Sequence, residues 1–221
     1  MRRVLFSWHG VHVHSYPALL YLGLLCGVYA GYGAATTMPI DPDRAFAGIL
    51  ILIVPALVGS RLWFVLTHWS VFRRDPARIW RRGDGGAALV GGLVLAVALS
   101  PAVLAALGLP FATFWDAATF TMIVGMVFTR VGCLLNGCCA GRPNEGRLAL
   151  HLPDHAGRWE RRYPVQLLEL ATAVALLAGA VAIATAPPFR GAIFVFALAA
   201  YGCARSILDP LRDPQGARKE P

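Results

Sequence analysis

Charge is what this 221-residue sequence has least of. Asp, Glu, Lys and Arg make up 14% of it, against about 25% in a soluble globular domain. Lysine is almost missing, one residue beside nineteen arginines. That scarcity, with 57% hydrophobic residues and a mean hydropathy of +0.59, excludes a water-solvated domain. Neither an internal repeat nor a separate polar domain is found, and Met1-Arg2-Arg3 is followed by no apolar core of the kind a cleavable leader carries. The five cysteines are odd in number and three are clustered, which argues against a disulfide framework. No nucleic-acid motif accompanies the net charge of +8. In a membrane chain the anion that suits arginine, which forks phosphate with two parallel hydrogen bonds, is a phospholipid headgroup. For the loop arginines, codon composition is an equally good account.

What is present is a series of apolar runs, several of them long enough for the roughly 20 residues a bilayer span needs. The expected fold is all-α: a polytopic transmembrane bundle in one integral domain, 1–221, with spans near 16–36, 45–68, 86–107, 114–135, 166–186 and 191–208. Met38-Pro39-Ile40-Asp41-Pro42 closes the first span, and Pro187-Pro188 stops the fifth. Two polar stretches stand out. One is a basic loop with Arg73, Arg74, Arg78, Arg81 and Arg82; the other, longer loop runs from Asn136 to Tyr163 between spans four and five. Gly91 and Gly92 read first as small residues that let helices approach closely in lipid.

The stretch from Thr129 to Pro143 carries the densest chemistry. Arg130 follows an apolar run, where a permanent cation costs about 2.5–3.5 kcal/mol and so faces either a partner or, by snorkelling, the headgroups. Glu169 in the first turn of span five, with Arg205 and Asp209 near the end of span six, are the other charges in or beside spans. Arg205 and Asp209 are four apart and share a helix face. They either form a local ion pair or join Arg130 and Glu169 around one polar pocket. In that pocket two arginines hold a phosphate and a carboxylate serves as general base.

Cys133, Cys138 and Cys139, with His151 and His155, invite a metal reading. The spacing Cys-x4-Cys-Cys argues against it, because adjacent cysteines seldom ligate one ion well. No metal and no cofactor is expected, and small residues packing a helix end is the preferred account. A thiol nucleophile at Cys138 or Cys139 would need an activating base that the sequence does not display. His12 and His14 read as exposed filler.

Six motifs in order resemble the prolipoprotein diacylglyceryl transferase family, from about His14 to Pro214. They are His14-Ser15-Tyr16; Gly59-Ser60-Arg61-Leu62; Asp84-Gly85-Gly86 through Gly91-Gly92-Leu93; Arg130 to Gly137 with Gly141-Arg142; Tyr163-Pro164-Val165-Gln166 to Glu169; and Tyr201-Gly202 to Arg205, followed by Asp209 and Arg212-Asp213-Pro214. The resemblance implies transfer of a diacylglyceryl group from phosphatidylglycerol to the lipobox cysteine thiol of a prolipoprotein, in a bacterial inner membrane. It implies catalytic roles for Arg130 and Arg205 as phosphoglycerol clamps, with Glu169 and Asp209 orienting them or helping to accept the thiol proton. Tyr16 and Asn136 would line the lipid pocket, and Arg61, Gly137, Arg142, Gln166 and Tyr201 would contact substrate. The implied partners are phosphatidylglycerol, the prolipoprotein signal peptide and membrane lipid, with no nucleic acid.

Several positions depart from the family pattern. Val90 stands where a histidine usually precedes Gly-Gly, and Cys138 where an acid follows Asn-Gly. Tyr163 replaces the histidine before proline, Asp209 is a shortened acid, and the family typically adds a span beyond Pro221. A non-catalytic phospholipid-binding or transport protein on the same fold is the alternative, and a cysteine-based metal or redox module a third. The positive-inside rule places the basic loops in the cytoplasm, whereas the resemblance places the signature at the outer face; arginines that bind lipid phosphate distort the charge rule, which favours the outer face.

Overall fold

The computed structural model describes residues 4–8, 11–73, 75, 89–154 and 157–213. Of the residues singled out above, Arg74, Arg78, Arg81, Arg82, Asp84, Gly85, Gly86, His155 and Pro214 lie outside that set. A hairpin of β1 (Val4–Trp8) and β2 (Val11–His14) leads into α1 (Ser15–Thr36) and α2 (Pro42–Thr67). A single turn, α3 (Trp69–Phe72), precedes α4 (Leu89–Leu107) and α5 (Phe111–Asn136). A second hairpin, β3 (Leu150–Pro153) with β4 (Trp159–Arg162), fills the long polar loop; α6 (Val165–Thr185) and α7 (Ala192–Leu208) follow. Six helices, all but α3, are long and apolar enough to cross a membrane. Their outward side chains, Tyr29 at 78% and Leu57 at 66% exposure among them, suit acyl chains rather than water. The protein is a multi-pass membrane bundle.

Helix limits differ from the sequence expectation where capping decides them. The second span begins at Pro42 rather than 45 because the Asp41 carboxylate accepts from the Asp43 and Arg44 amides at 3.0 Å, and proline suits the first helical position. The sixth ends as expected, but a 3-10 turn, Asp209–Leu211, extends it. Val165 starts α6, which puts Glu169 one turn inside the helix.

The short connections at 37–41, 108–110 and 186–191 force α1/α2, α4/α5 and α6/α7 to run antiparallel. Alternate spans therefore bring the start of α1, the ends of α2, α5 and α7 and the starts of α4 and α6 to one face. Small residues set how closely the spans pack. An added Cβ at Gly27 of α1 would meet the Thr121 carbonyl of α5 at 2.5 Å. One at Gly91 of α4 would meet the Gly59 carbonyl of α2, also at 2.5 Å. So α1 lies on α5 and α4 on α2, backbone against backbone, as lipid-embedded helices require. At the opposite face Asp116, 4% exposed, accepts from the amides of Gly191, Ile193 and Phe194 at 2.6, 2.9 and 3.0 Å. A carboxylate on α5 thus caps α7, satisfying donors that helix starts leave open.

Candidate phosphate-binding site

Glu169 is the centre of the site. Its side chain is 4% exposed, and both carboxylate oxygens are taken by guanidinium groups. Arg130 Nη1 donates to Oε2 at 2.8 Å, and Arg205 Nη1 donates to Oε1 at 3.0 Å. Arg212 Nη2 also donates to Oε1. Arg205 Nε in turn sits 2.9 Å from Asp209 Oδ1. The pairing of Arg205 with Asp209 and their gathering with Arg130 around one pocket, alternatives in the sequence, are therefore both realised. Arg130, Arg205 and Arg212 against Glu169 and Asp209 leave one net positive charge, three minus two. Among the described residues, Arg212 Nε has no hydrogen-bond partner; Asp209 Oδ1 stands 3.7 Å from it, too long for one. A cleft lined by Arg130, Glu169, Thr172, Tyr201, Arg205 and Leu208 opens beside the cluster.

Sequence reasoning did not place Arg212 in the site, and the fold shows why it arrives there. The tail after α7 bonds to the segment beyond α5: Arg142 N donates to Leu211 O at 2.9 Å and Asp213 N to Ala140 O at 3.0 Å. Arg142, expected to touch substrate, instead gives its Nε to the Arg212 carbonyl at 2.9 Å. It fixes the backbone that carries Arg212. Behind it, Arg162 is buried among Glu160 at 2.6 Å, Asp213 at 3.1 Å and Asp154 at 3.4 Å. This ion cluster locks the β3–β4 hairpin to the tail. A buried cation with three carboxylates around it was legible only as a run of polar residues.

The remaining expected residues fall into two groups. Gln166 donates from Nε2 to the Cys138 carbonyl at 2.6 Å, one turn from Glu169. Tyr201 lines the cleft, and Tyr16 packs against Gly132, where an added Cβ would lie 3.5 Å from its ring. Asn136 and Gly137 end α5, Gly137 in the left-handed region at φ 76°, and both border a second hollow with Asp154 and Trp159. Arg61 of α2 holds its guanidinium 5.7 Å from the rings of Phe64 on α2 and Phe72 on α3; among the described residues the cations on Glu169 are Arg130, Arg205 and Arg212. Val90 lies at the start of α4 and is exposed. His12 and His14 are exposed as expected.

The three clustered cysteines converge. Their sulfurs lie within 4.8 Å of one another at the end of α5. His151 instead stacks on Trp159, ring centres 5.6 Å apart. Hydrogen bonds from Cys133 and then Cys138, helped by the Arg212 and Arg130 charges, hold the Cys139 thiol well below the ordinary thiol range.

The family model described as prolipoprotein diacylglyceryl transferase matches residues 3–219. A phosphatidylglycerol–prolipoprotein diacylglyceryl transferase 2 of Clostridium perfringens is 24% identical over 162 residues, 69% of this chain and 60% of that one. A phosphatidylglycerol–prolipoprotein diacylglyceryl transferase of Geobacillus kaustophilus is 29% identical over 155 residues, 69% of this chain and 57% of its own length. One of Tropheryma whipplei is 26% identical over 220 residues, 93% of this chain and 79% of the relative. Against the first two, the chain spans less than two thirds of the relative's length.

Proposed function

The chain belongs to the prolipoprotein diacylglyceryl transferase family, and from that premise we propose that it transfers a diacylglyceryl group from phosphatidylglycerol to the lipobox cysteine thiol of a prolipoprotein. The observation that carries the reading is the three-arginine grip on Glu169 with one cation in excess and the Arg212 Nε donor unspent. An anion is what such a cluster lacks, and a headgroup phosphate at the end of the spans supplies one. Arg130 and Arg205, joined by Arg212, hold the phosphate. As the thiolate forms a bond to the glyceryl carbon and the carbon–oxygen bond to phosphate breaks, the guanidiniums stabilise the charge on the departing glycerol phosphate. Glu169, with both oxygens engaged, orients the guanidiniums rather than taking a proton. Asp209, its side chain 49% exposed, is the carboxylate better placed to accept one. Tyr16, Asn136, Gly137, Gln166 and Tyr201 frame the lipid and peptide approach. Arg61 meets headgroups on the α2–α4 pair, and Arg142 acts through Arg212. The membrane is the bacterial inner membrane, and the whole chain acts as one domain.

The test is purified protein with labelled phosphatidylglycerol and a lipobox peptide, read by mass spectrometry for the thioether. Arg130→Ala and Arg205→Ala should each lower transfer by about 10²–10³-fold, the usual cost of deleting one charge-stabilising group. Native turnover in both variants removes the clamp from the mechanism. Lipid binding without thioether from the native chain transfers the case to a non-catalytic lipid-binding protein.

A further inference from the structure

The end of α5 holds a second constellation that the phosphate cluster does not use. Cys133 lies in the last turn of the helix, one turn beyond Arg130. Gly137 closes the helix in the left-handed region, and Cys139 is left-handed too, at φ 58°, the one residue other than glycine with positive φ among the described residues. That conformation is unfavourable for a side chain with a Cβ. Here it folds Cys139 back over the helix end, so that thiols separated by the spacing Cys-x4-Cys-Cys meet. All three sulfurs fall within 4.8 Å of one another. Two thiolates on one tetrahedral zinc-class ion, each about 2.3 Å from it, stand about 3.8 Å apart. Side-chain rotation that draws the sulfurs together by up to about 1 Å reaches that spacing. Adjacent cysteines seldom ligate one ion well, but the left-handed Cys139 brings its sulfur to the other two.

No histidine or carboxylate joins the three thiols among the described residues. Three protein ligands with one position left open is the arrangement of catalytic rather than structural zinc. The site is also next to the phosphate cluster. Arg130 is on the same helix, and the Cys138 carbonyl is held by Gln166 at 2.6 Å, on the helix that carries Glu169. Three thiolates and a divalent cation carry one negative charge, and Arg130 stands one turn before Cys133 on the same helix. Of the groups that could take the acceptor thiol's proton, Glu169 is fully engaged and Val90 is apolar, which leaves Asp209. We propose that Cys133, Cys138 and Cys139 bind one zinc-class divalent cation whose open fourth position takes the acceptor thiol. A thiol bound to such an ion is deprotonated; its proton passes through water to the half-exposed Asp209 carboxylate. Its sulfur then bonds to the glyceryl carbon, and the phosphate leaves with the electrons of the broken carbon–oxygen bond. The three-thiolate site stands on its own geometry, whereas the identity of its fourth ligand rests on the transferase reading.

Cobalt is the probe, because thiolate–cobalt charge transfer reports coordination directly. Reduced, metal-stripped 221-residue protein titrated with Co²⁺ should reach one equivalent. Adding a lipobox peptide should raise the charge-transfer band by about a third as a fourth thiolate joins three, and the serine version of the peptide should not. Cys139→Ser, at an exposed position, should weaken cobalt at least tenfold, and Cys203→Ser on α7 should leave it unchanged. No stoichiometric band from protein with its thiols free, or native affinity in Cys139→Ser, overturns the site. A full band that ignores the peptide thiol, or full transfer rate from metal-free protein, overturns the acceptor role. Cobalt and peptide both bound, with no thioether from the zinc-loaded chain and phosphatidylglycerol, would sink the transferase reading alone and leave the metal site standing.

Discussion

Replacing Glu169 by glutamine keeps the side chain's volume and deletes its charge. The cluster then holds three guanidiniums against Asp209 alone, and the excess rises from one positive charge to two. The loss does not fall evenly. Arg205 and Arg212 are 33% and 22% exposed and stay within reach of Asp209 and of water. Arg130 is 12% exposed, and Glu169 is its one ion-pair partner among the described residues. Stranding a buried cation costs about 3–5 kcal/mol. The measurement is thermal unfolding of native and Glu169→Gln protein, each in nanodiscs of zwitterionic lipid and of phosphatidylglycerol. In zwitterionic lipid the variant should melt well below the native chain. Phosphatidylglycerol should restore part of the difference and stabilise the variant more than the native protein, because an anion that binds only the folded state adds its binding free energy to stability. Equal melting temperatures in zwitterionic lipid would refute the reasoning, since Arg130 would then not depend on Glu169. A variant that anionic lipid does not rescue would refute the phosphate assignment.

Other expected outcomes concern the frame around the site. Asp116→Ala removes the acceptor for three amides at the start of α7 and should cost about 1–3 kcal/mol in chemical unfolding, with Asp116→Asn losing less. Gly91→Val places a side chain against the Gly59 carbonyl and Trp63; overpacking of about 1–3 kcal/mol should separate α2 from α4, measurable as slower disulfide cross-linking between cysteines introduced across the α2–α4 contact. Arg162→Ala leaves Asp154, Glu160 and Asp213 facing one another. Limited proteolysis should then cut the 137–164 segment faster, and transfer should fall as well because Arg212 loses its backbone support.

Much of the fold was legible because a bilayer imposes a simple rule. Residues 16–36 and 166–186 are apolar over the length of a span, so their helices fall within a residue of expectation. Asp41 before Pro42 is a start signal that the run of apolar residues from 45 onward hides. The hairpins were not legible, because strands of four or five residues such as Leu150–Pro153 and Trp159–Arg162 are too short to show a period; it is Arg162, reaching Asp154, Glu160 and Asp213, that ties the second hairpin to the tail. Arg130, Glu169, Arg205 and Asp209 were recognisable because a charge beside a span is conspicuous. Arg212 was not, since it lies in a polar tail where charge is ordinary.

From the order of its apolar runs and the few charges that interrupt them, the linear chain already determined that six of its described helices are long and apolar enough to cross a membrane, with Arg130 and Arg205 near helix ends, because hydrocarbon tolerates little else there. It did not determine which charges meet. Tertiary structure decided that when glycine contacts set α1 on α5, when the tail bonded to residues 140–142 and turned Arg212 onto Glu169, and when a left-handed Cys139 drew three thiols together. Those outcomes depend on distances between groups far apart in sequence, which no local pattern encodes.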